Sequence, residues 1–241
     1  VDEDRDVTYS AEQDTHRIAE ANGRSPLVPP SSRSSWLATI LRERLVTRGY
    51  RPGEWIREAP LQAEFSLSNG PVREALQSLV ADGLLERVPY RGVRVRLLSD
   101  EDVLDLFELR LAMIELAAEY VISRRAAKTE ATAIALIDHI EGFRAQKAPR
   151  LDGALTRWLL ESACNSRLAE AFRQIEAQAQ IYVNEAASRG ETLETLVDHA
   201  TAFIKAVVDE DRTRSSVAGR ALTRTQLSAL GIIMRLDTGQ Q

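Results

Sequence analysis

SNGPVREALQSLVADGLL, residues Ser68 to Leu85, reads as one helix with two unlike faces. Val72, Ala75, Leu76, Leu79 and Val80 recur at the three- and four-residue spacing that gathers apolar side chains into one stripe, so this face is expected to be buried. Asn69, Arg73 and Gln77 stand four apart on the other side, where three hydrogen-bonding side chains line an edge suited to base edges and phosphates. Ser68 is the expected N-cap, Pro71 is tolerated in a first turn whose N–H groups lack partners, and Gly83 supplies the left-handed residue that ends the helix.

Working outward, residues 84–88 and 93–97 read as two short strands joined by a turn that contains Pro89 and Gly92. The turn carries Arg91, and the outward side of the second strand carries Arg94 and Arg96, cations placed where a DNA backbone or minor groove would lie. Upstream, Trp36, Leu37, Ile40, Leu41 and Leu45 form a helical stripe between Ser35 and Gly49; Pro52 and Gly53 turn the chain, and residues 60–65 are a short second helix. Helix, helix, recognition helix and basic hairpin is the order of a winged helix-turn-helix. Arg57, just ahead of the short helix, is either a phosphate contact or a plain solvated arginine.

The segment PGEWIREAPLQAEFSLSNGPVREALQSLVADGLLERVPYRGVRV, residues 52–95, resembles the DNA-binding domain of the GntR family of bacterial transcription regulators. The family pattern runs S-R-T-P-V-R-E-A-L and ends its wing in R-G; PVREAL, DGLL and RGV carry the likeness. The arginine that typically reads a guanine in that family is Asn69 here, and the following threonine is Gly70, which implies an altered half-site. Arg73 stands at the family's second arginine. The resemblance thus implies Asn69, Arg73 and Gln77 at bases or neighbouring phosphates, Ser68 and Gly70 against the backbone, Arg91 with Gly92 at the wing tip, and Arg57 nearby.

Composition agrees with two domains and a tail. The 241 residues are 44% hydrophobic, enough for one medium and one small domain. Residues 1–32 carry three Arg against seven acids, net −4, and contain Pro26, Pro29 and Pro30 among serines, which reads as a tail. Residues 33–98 carry eleven Arg against seven acids, net +4, while the whole chain is −5. Phosphate attraction is screened over roughly 10 Å, so a basic module on an acidic body still suits DNA. Cys164 stands alone, which excludes an intrachain disulfide, and it reads as a buried small residue. With no apolar run long enough for a bilayer and an acidic beginning unlike a signal peptide, a cytoplasmic protein is expected, with no membrane partner.

Residues 99–241 lack strand-like alternation and read as an all-α helical bundle. Ser99 with Asp102 forms a capping box for a long helix, and Leu106, Leu109, Met113, Leu116 and Tyr120 run along one of its sides as core or dimer interface. Further helices are expected near 130–146, 150–164, 166–188, 191–209 and 211–235, separated at Pro149, at Gly190 and at the acidic run 209–211. LFELRLAMIELAAEYV (106–121) and LDGALTRWLLESACNSRLAEAF (151–172) resemble the ligand-sensing domain, called FCD, of the FadR subfamily. Arg110, Asp152 and Asn165 stand at family positions.

Many members of that subfamily hold a divalent metal with one Asp and three His. Here the first histidine falls on Thr156 and the last near Leu222, which leaves Asp152 and His199 as the only surviving ligands, too few for a tight site. The resemblance then implies a metal-free effector pocket in which Arg110 anchors a small organic anion, a carboxylate, beside Asp152, Thr156 and His199. The alternative for Arg110 is an ion pair with an acid between helices; His139 reads as helix surface. The expected protein is a ligand-responsive DNA-binding regulator, a repressor by family habit, acting as a homodimer on a near-palindromic operator. A metal-dependent sensor is the alternative within the class. An enzyme is disfavoured, since the sequence offers neither a phosphate-binding glycine loop nor a nucleophile with an orienting base.

Overall fold

A computed structural model describes residues 30–47, 50–124, 129–145, 153–189 and 192–234. Most of the expected tail and Asp152 lie outside these residues, as do Pro149 and Gly190. The first helix, α1 (Pro30–Val46), begins five residues before the expected Ser35. A proline fits there because its φ is already helical and its missing N–H is one that a first turn leaves unpaired. Leu37, Leu41 and Leu45 are buried along α1, whereas Trp36 lies at the surface with its ring edge-on to Phe65 at 5.6 Å.

After the turn at Pro52 and Gly53 comes β1 (Trp55–Ile56), a two-residue strand with no sequence signal of its own. Then follow α2 (Glu58–Phe65), the recognition helix α3 (Asn69–Ala81), β2 (Leu85–Val88) and β3 (Gly92–Val95). The sheet is antiparallel in the order β1-β3-β2, with Trp55 opposite Arg94 and Leu85 opposite Val95. The winged helix-turn-helix order is therefore as expected. Ser68 holds the N-cap position in extended conformation, but its side chain makes no capping hydrogen bond, so position and not a cap marks that boundary. Gly83 has φ +73°, a backbone conformation that favours glycine, and the amide end of Gln178 packs against it, 2.5 Å from where a Cβ would stand.

The rest is helical: α4 (Asp100–Arg124), α5 (Thr129–Glu141) with a 3-10 turn (Gly142–Ala145), α6 (Ala154–Ala163), α7 (Ser166–Ala187), α8 (Thr192–Val208) and α9 (Arg212–Leu230). The protein is mostly α, an N-terminal winged helix-turn-helix followed by a helical body. Ser99 and Asp102 form the reciprocal capping box: the Asp102 N–H donates to Ser99 Oγ at 3.1 Å and the Ser99 N–H to Asp102 Oδ2 at 3.3 Å. The Ser99 hydroxyl also donates to Asp102 Oδ2 at 2.7 Å, and this bond, with that from the Ser99 N–H, holds the Asp102 carboxyl below its ordinary range. Asn165 and Asp211 cap α7 and α9 one way, accepting the Leu168 and Arg214 N–H groups.

One reading of side-chain position is narrowed and another is corrected. On α4 the inward face is Val103, Phe107, Arg110, Leu111, Ile114, Ala117 and Val121, while Leu109 (51% exposed) and Leu116 (47%) point outward. This helix is apolar on nearly every side, so spacing alone does not select the face that packs. Cys164 is exposed, held with φ +49° at the end of α6 instead of being buried.

One hydrophobic core runs through both halves. Leu37, Leu76, Leu85 and Val95 of the winged helix pack in the same cluster as Phe107, Leu111, Ile181 and Tyr182 of the body. A second cluster fills the body alone around Trp158, Phe172, Phe203 and Ile204. At roughly 1.5–3 kcal/mol for each fully buried large side chain, the shared cluster binds the halves strongly.

Helix α7 is the seam. The Tyr182 hydroxyl accepts the Leu98 N–H at 2.8 Å and donates to the Arg96 carbonyl at 3.3 Å. Asn184 Nδ2 donates to the Val46 carbonyl, and Gln178 Nε2 to the carbonyl of Asp82 just after the recognition helix. Asp82 is also ion-paired with Arg42 of α1.

Candidate nucleic-acid interface and effector cavity

Burial of Val72, Ala75, Leu76 and Leu79 turns the opposite edge of α3 to solvent, and Asn69, Arg73 and Gln77 are all exposed on it. Gly70 sits in the first turn with nothing within 4 Å of where a Cβ would be, so a backbone can approach it closely. Arg73 is not loose: its Nε donates to Glu58 Oε2 at 2.9 Å, across from the start of α2. Arg57, extended and exposed, occupies the N-cap of α2 beside that pair.

The wing is a hairpin closed by the Arg91 N–H donating to the Val88 carbonyl at 3.1 Å. Pro89 and Tyr90 are the central residues, and Tyr90 has φ +62°, a conformation usually left to glycine or asparagine in such turns. Its ring is fully exposed. Arg91 and Gly92 are exposed beside it, so Tyr90 belongs with the wing-tip residues that sequence spacing suggested; a solitary aromatic in a turn gave no periodic signal. Arg94 is drawn back from the outward face, with Nε on Glu86 Oε1 at 2.5 Å and its guanidinium 5.7 Å from the Trp55 ring centroid.

In the body, Arg110 and Thr156 line a cavity of about 60 Å³ together with Gly153, Gln180, Leu222, Gln226 and an apolar wall that includes Ile140, Phe143 and Val197. Arg110 is only 4% exposed. Its Nε donates to Glu176 Oε2 at 2.7 Å, and Nη2 to Glu176 Oε1 at 3.2 Å and Thr156 Oγ1 at 3.1 Å. Arg110 is therefore not the free cationic anchor expected for a carboxylate; the interhelical ion pair, the alternative reading, is what forms. His199 is absent from the cavity wall, its Nδ1 lying 3.1 Å from Thr225 Oγ1 at the contact of α8 with α9. Among the described residues no three His, Cys, Asp or Glu side chains converge as a metal site.

Glu176, Gln180 and Gln226 are the participants that sequence reasoning missed. Glu176 and Gln180 are one turn apart on α7, and Gln226 is one turn beyond Leu222 on α9, so helical spacing from an already suspected position was the available signal. Gly153, Thr156 and Gln180 also border a larger groove of about 800 Å³ that reaches Arg42 and Val46 of α1.

Residues 34–95 match the family model described as bacterial regulatory proteins, gntR family. The segment is a gntR-family domain. The gntR match takes in α2, α3 and the wing, the elements that present Arg57, Arg73 and Arg91.

Similar curated proteins are regulators. The chain is 33% identical over 95 residues to the HTH-type transcriptional repressor GlaR of Escherichia coli K12, covering 39% of this chain and 43% of that protein. It is 38% identical over 85 residues to the Nta operon transcriptional regulator of Aminobacter aminovorans, covering 35% and 40%. These matches span less than half the length of either relative. Among solved structures, Escherichia coli McbR/YncC superposes with TM-score 0.70 at 16% identity, over 83% of this chain and 97% of that one. A transcriptional regulator GntR from Rhodococcus sp. RHA1 gives 0.63 at 22% identity, over 83% and 98%. At these identities the likeness is one of fold, and it extends into the helical body.

Proposed function

We propose that this protein is a DNA-binding transcriptional regulator whose helical body senses a small molecule. The observation that carries the reading is the edge of Asn69, Arg73 and Gln77, held outward by a fully packed opposite face and flanked by the Tyr90 and Arg91 wing tip, within the gntR-family domain. On this reading the recognition helix enters a major groove, and Ser68, Gly70, Arg57, Arg91 and Gly92 contact the backbone around it. Repressor names among the relatives favour repression.

A homodimer on a near-palindromic operator follows from the need of one short helix for a second half-site, and the outward Leu109 and Leu116 on α4 offer apolar area to a second copy. The cavity around Thr156 and Gln226 is the effector site on this reading, since Arg110 and Thr156, two of the four residues to which the FCD resemblance pointed, line it. No helix among the described residues is long and apolar enough to cross a membrane. Selection of binding sequences from random duplexes, followed by titration at several salt concentrations, tests the proposal. A sequence preference with steep salt dependence is expected; binding without preference among sequences would sink it.

A further inference from the structure

We infer that the cavity takes a small uncharged molecule that both donates and accepts hydrogen bonds, of the amide or alcohol class, and not the organic anion that a free arginine would select. This deepens the reading of the cavity as the effector site and rests on it. Two independent observations support it.

The first is Gln226. It is 3% exposed, it lines the cavity, and its Oε1 has no hydrogen-bond partner. A buried carboxamide oxygen left unpaired is destabilising, so a protein that keeps one in a cavity wall has a use for it. A half-turn of the side chain exchanges the oxygen for the NH2 group, so the matching ligand group is one that can serve either.

The second is charge. The Glu176 carboxylate already engages Arg110 through both oxygens, and Thr156 takes a further bond. Nη1 of Arg110 has no partner among the described residues and remains for an acceptor. An incoming carboxylate would compete with Glu176 for one guanidinium, leaving a negative charge unpaired beside Leu196, Val197 and Leu222. Burying an unpaired charge costs far more than burying a neutral polar group.

The size of the space sets the size of the ligand. About 60 Å³ holds roughly four water-sized centres, hence a head group of about five heavy atoms. A longer molecule would extend past Thr156 and Gln180 into the adjoining groove.

Propionamide and propionate have the same shape and differ in charge. They would be titrated separately into the full chain at pH 7 and followed by saturation-transfer NMR. Propionamide is expected to bind at least about tenfold more tightly than propionate. Gln226→Met, which preserves side-chain length, is expected to weaken the amide at least about fivefold with its melting transition intact. Equal or tighter binding of propionate, no saturable binding of propionamide, or amide binding indifferent to Gln226→Met would each overturn the inference. Operator affinity is measured in the same samples. Amide binding that leaves it unchanged would keep the ligand class and remove the effector reading; operator binding by protein that ignores propionamide would remove the ligand class and leave the DNA-binding reading standing.

Discussion

Glu58, the first residue of α2, holds Arg73 of the recognition helix through a 2.9 Å bond to Nε. The pair holds the guanidinium by Nε, so the arginine is oriented before DNA arrives. Arg73→Ala is expected to cost about 1–3 kcal/mol of operator binding while leaving the fold intact. Glu58→Gln removes only the orientation of an exposed pair and should cost at most about 1 kcal/mol, concentrated in the preference for operator over random DNA. Anisotropy titrations on both sequences separate the two; unchanged affinity for Arg73→Ala would remove it from the contact surface.

Asn69 lies at the first position of α3 with its side chain exposed. Asparagine pairs with adenine through two bonds, whereas arginine pairs with guanine, each discriminating by about 1–3 kcal/mol. Asn69→Arg is therefore expected to change the selected base at one position in each half-site. If selection instead returns the original sequence with uniformly tighter binding, the added charge acts on phosphates alone.

The Arg110–Glu176 pair is buried on the arginine side, with side-chain exposures of 5% and 17%. Removing one partner leaves the other charge uncompensated, so Arg110→Met should destabilise by about 3–5 kcal/mol in denaturant unfolding. The double variant Arg110→Met with Glu176→Leu is expected to recover much of that loss. Failure of the second change to restore any stability would show that the pair is not the source of the effect.

Tyr182 fastens the body to the segment that leaves the wing. Burial raises its pKa above the ordinary value near 10, partly opposed by the bond from the Leu98 N–H. A group whose folded pKa is raised favours the protonated fold, so its contribution is complete below about pH 10 and is lost as pH climbs through the folded value. Tyr182→Phe should cost about 1–2 kcal/mol at neutral pH by leaving the Leu98 N–H unmet, and should abolish this part of the alkaline loss. Unfolding curves at pH 7 and above pH 10 check both signs.

Leu109 and Leu116 lie outward on α4, two turns apart. On the proposed dimer, Leu109→Glu with Leu116→Glu is expected to give monomer in light scattering, since like charges brought together at the centre of an apolar contact are strongly unfavourable. A dimer that survives both changes would place the contact elsewhere.

The winged helix was legible because its signals are local. Gly83 must take a left-handed conformation, Val72 to Leu79 must pack on one side, and the arginines of the hairpin alternate. β1 was not legible, since two residues in a strand depend on β3 to hold them. In the body the helices could be placed from their breaks, but the partner of Arg110 could not: Glu176 is 66 residues away, and any of several acids had the same local signature. The same limit hid the Gln226 carboxamide, which looks in sequence like one more polar residue on a helix.

Because Leu85 and Val95 of the wing share a cluster with Phe107, Ile181 and Tyr182, the winged helix has no interior of its own, although the helical body keeps a second cluster to itself. Severing the chain after residue 98 would strip one wall from the N-terminal piece, so that piece should not be portable. A hybrid made by grafting this winged helix onto another regulator's body would inherit the mismatch, unless the host helix in the place of α7 were recut to receive it. Interchange between such halves therefore has to proceed by matched surfaces, and recombination at the boundary in sequence would fall in the middle of a single packed core.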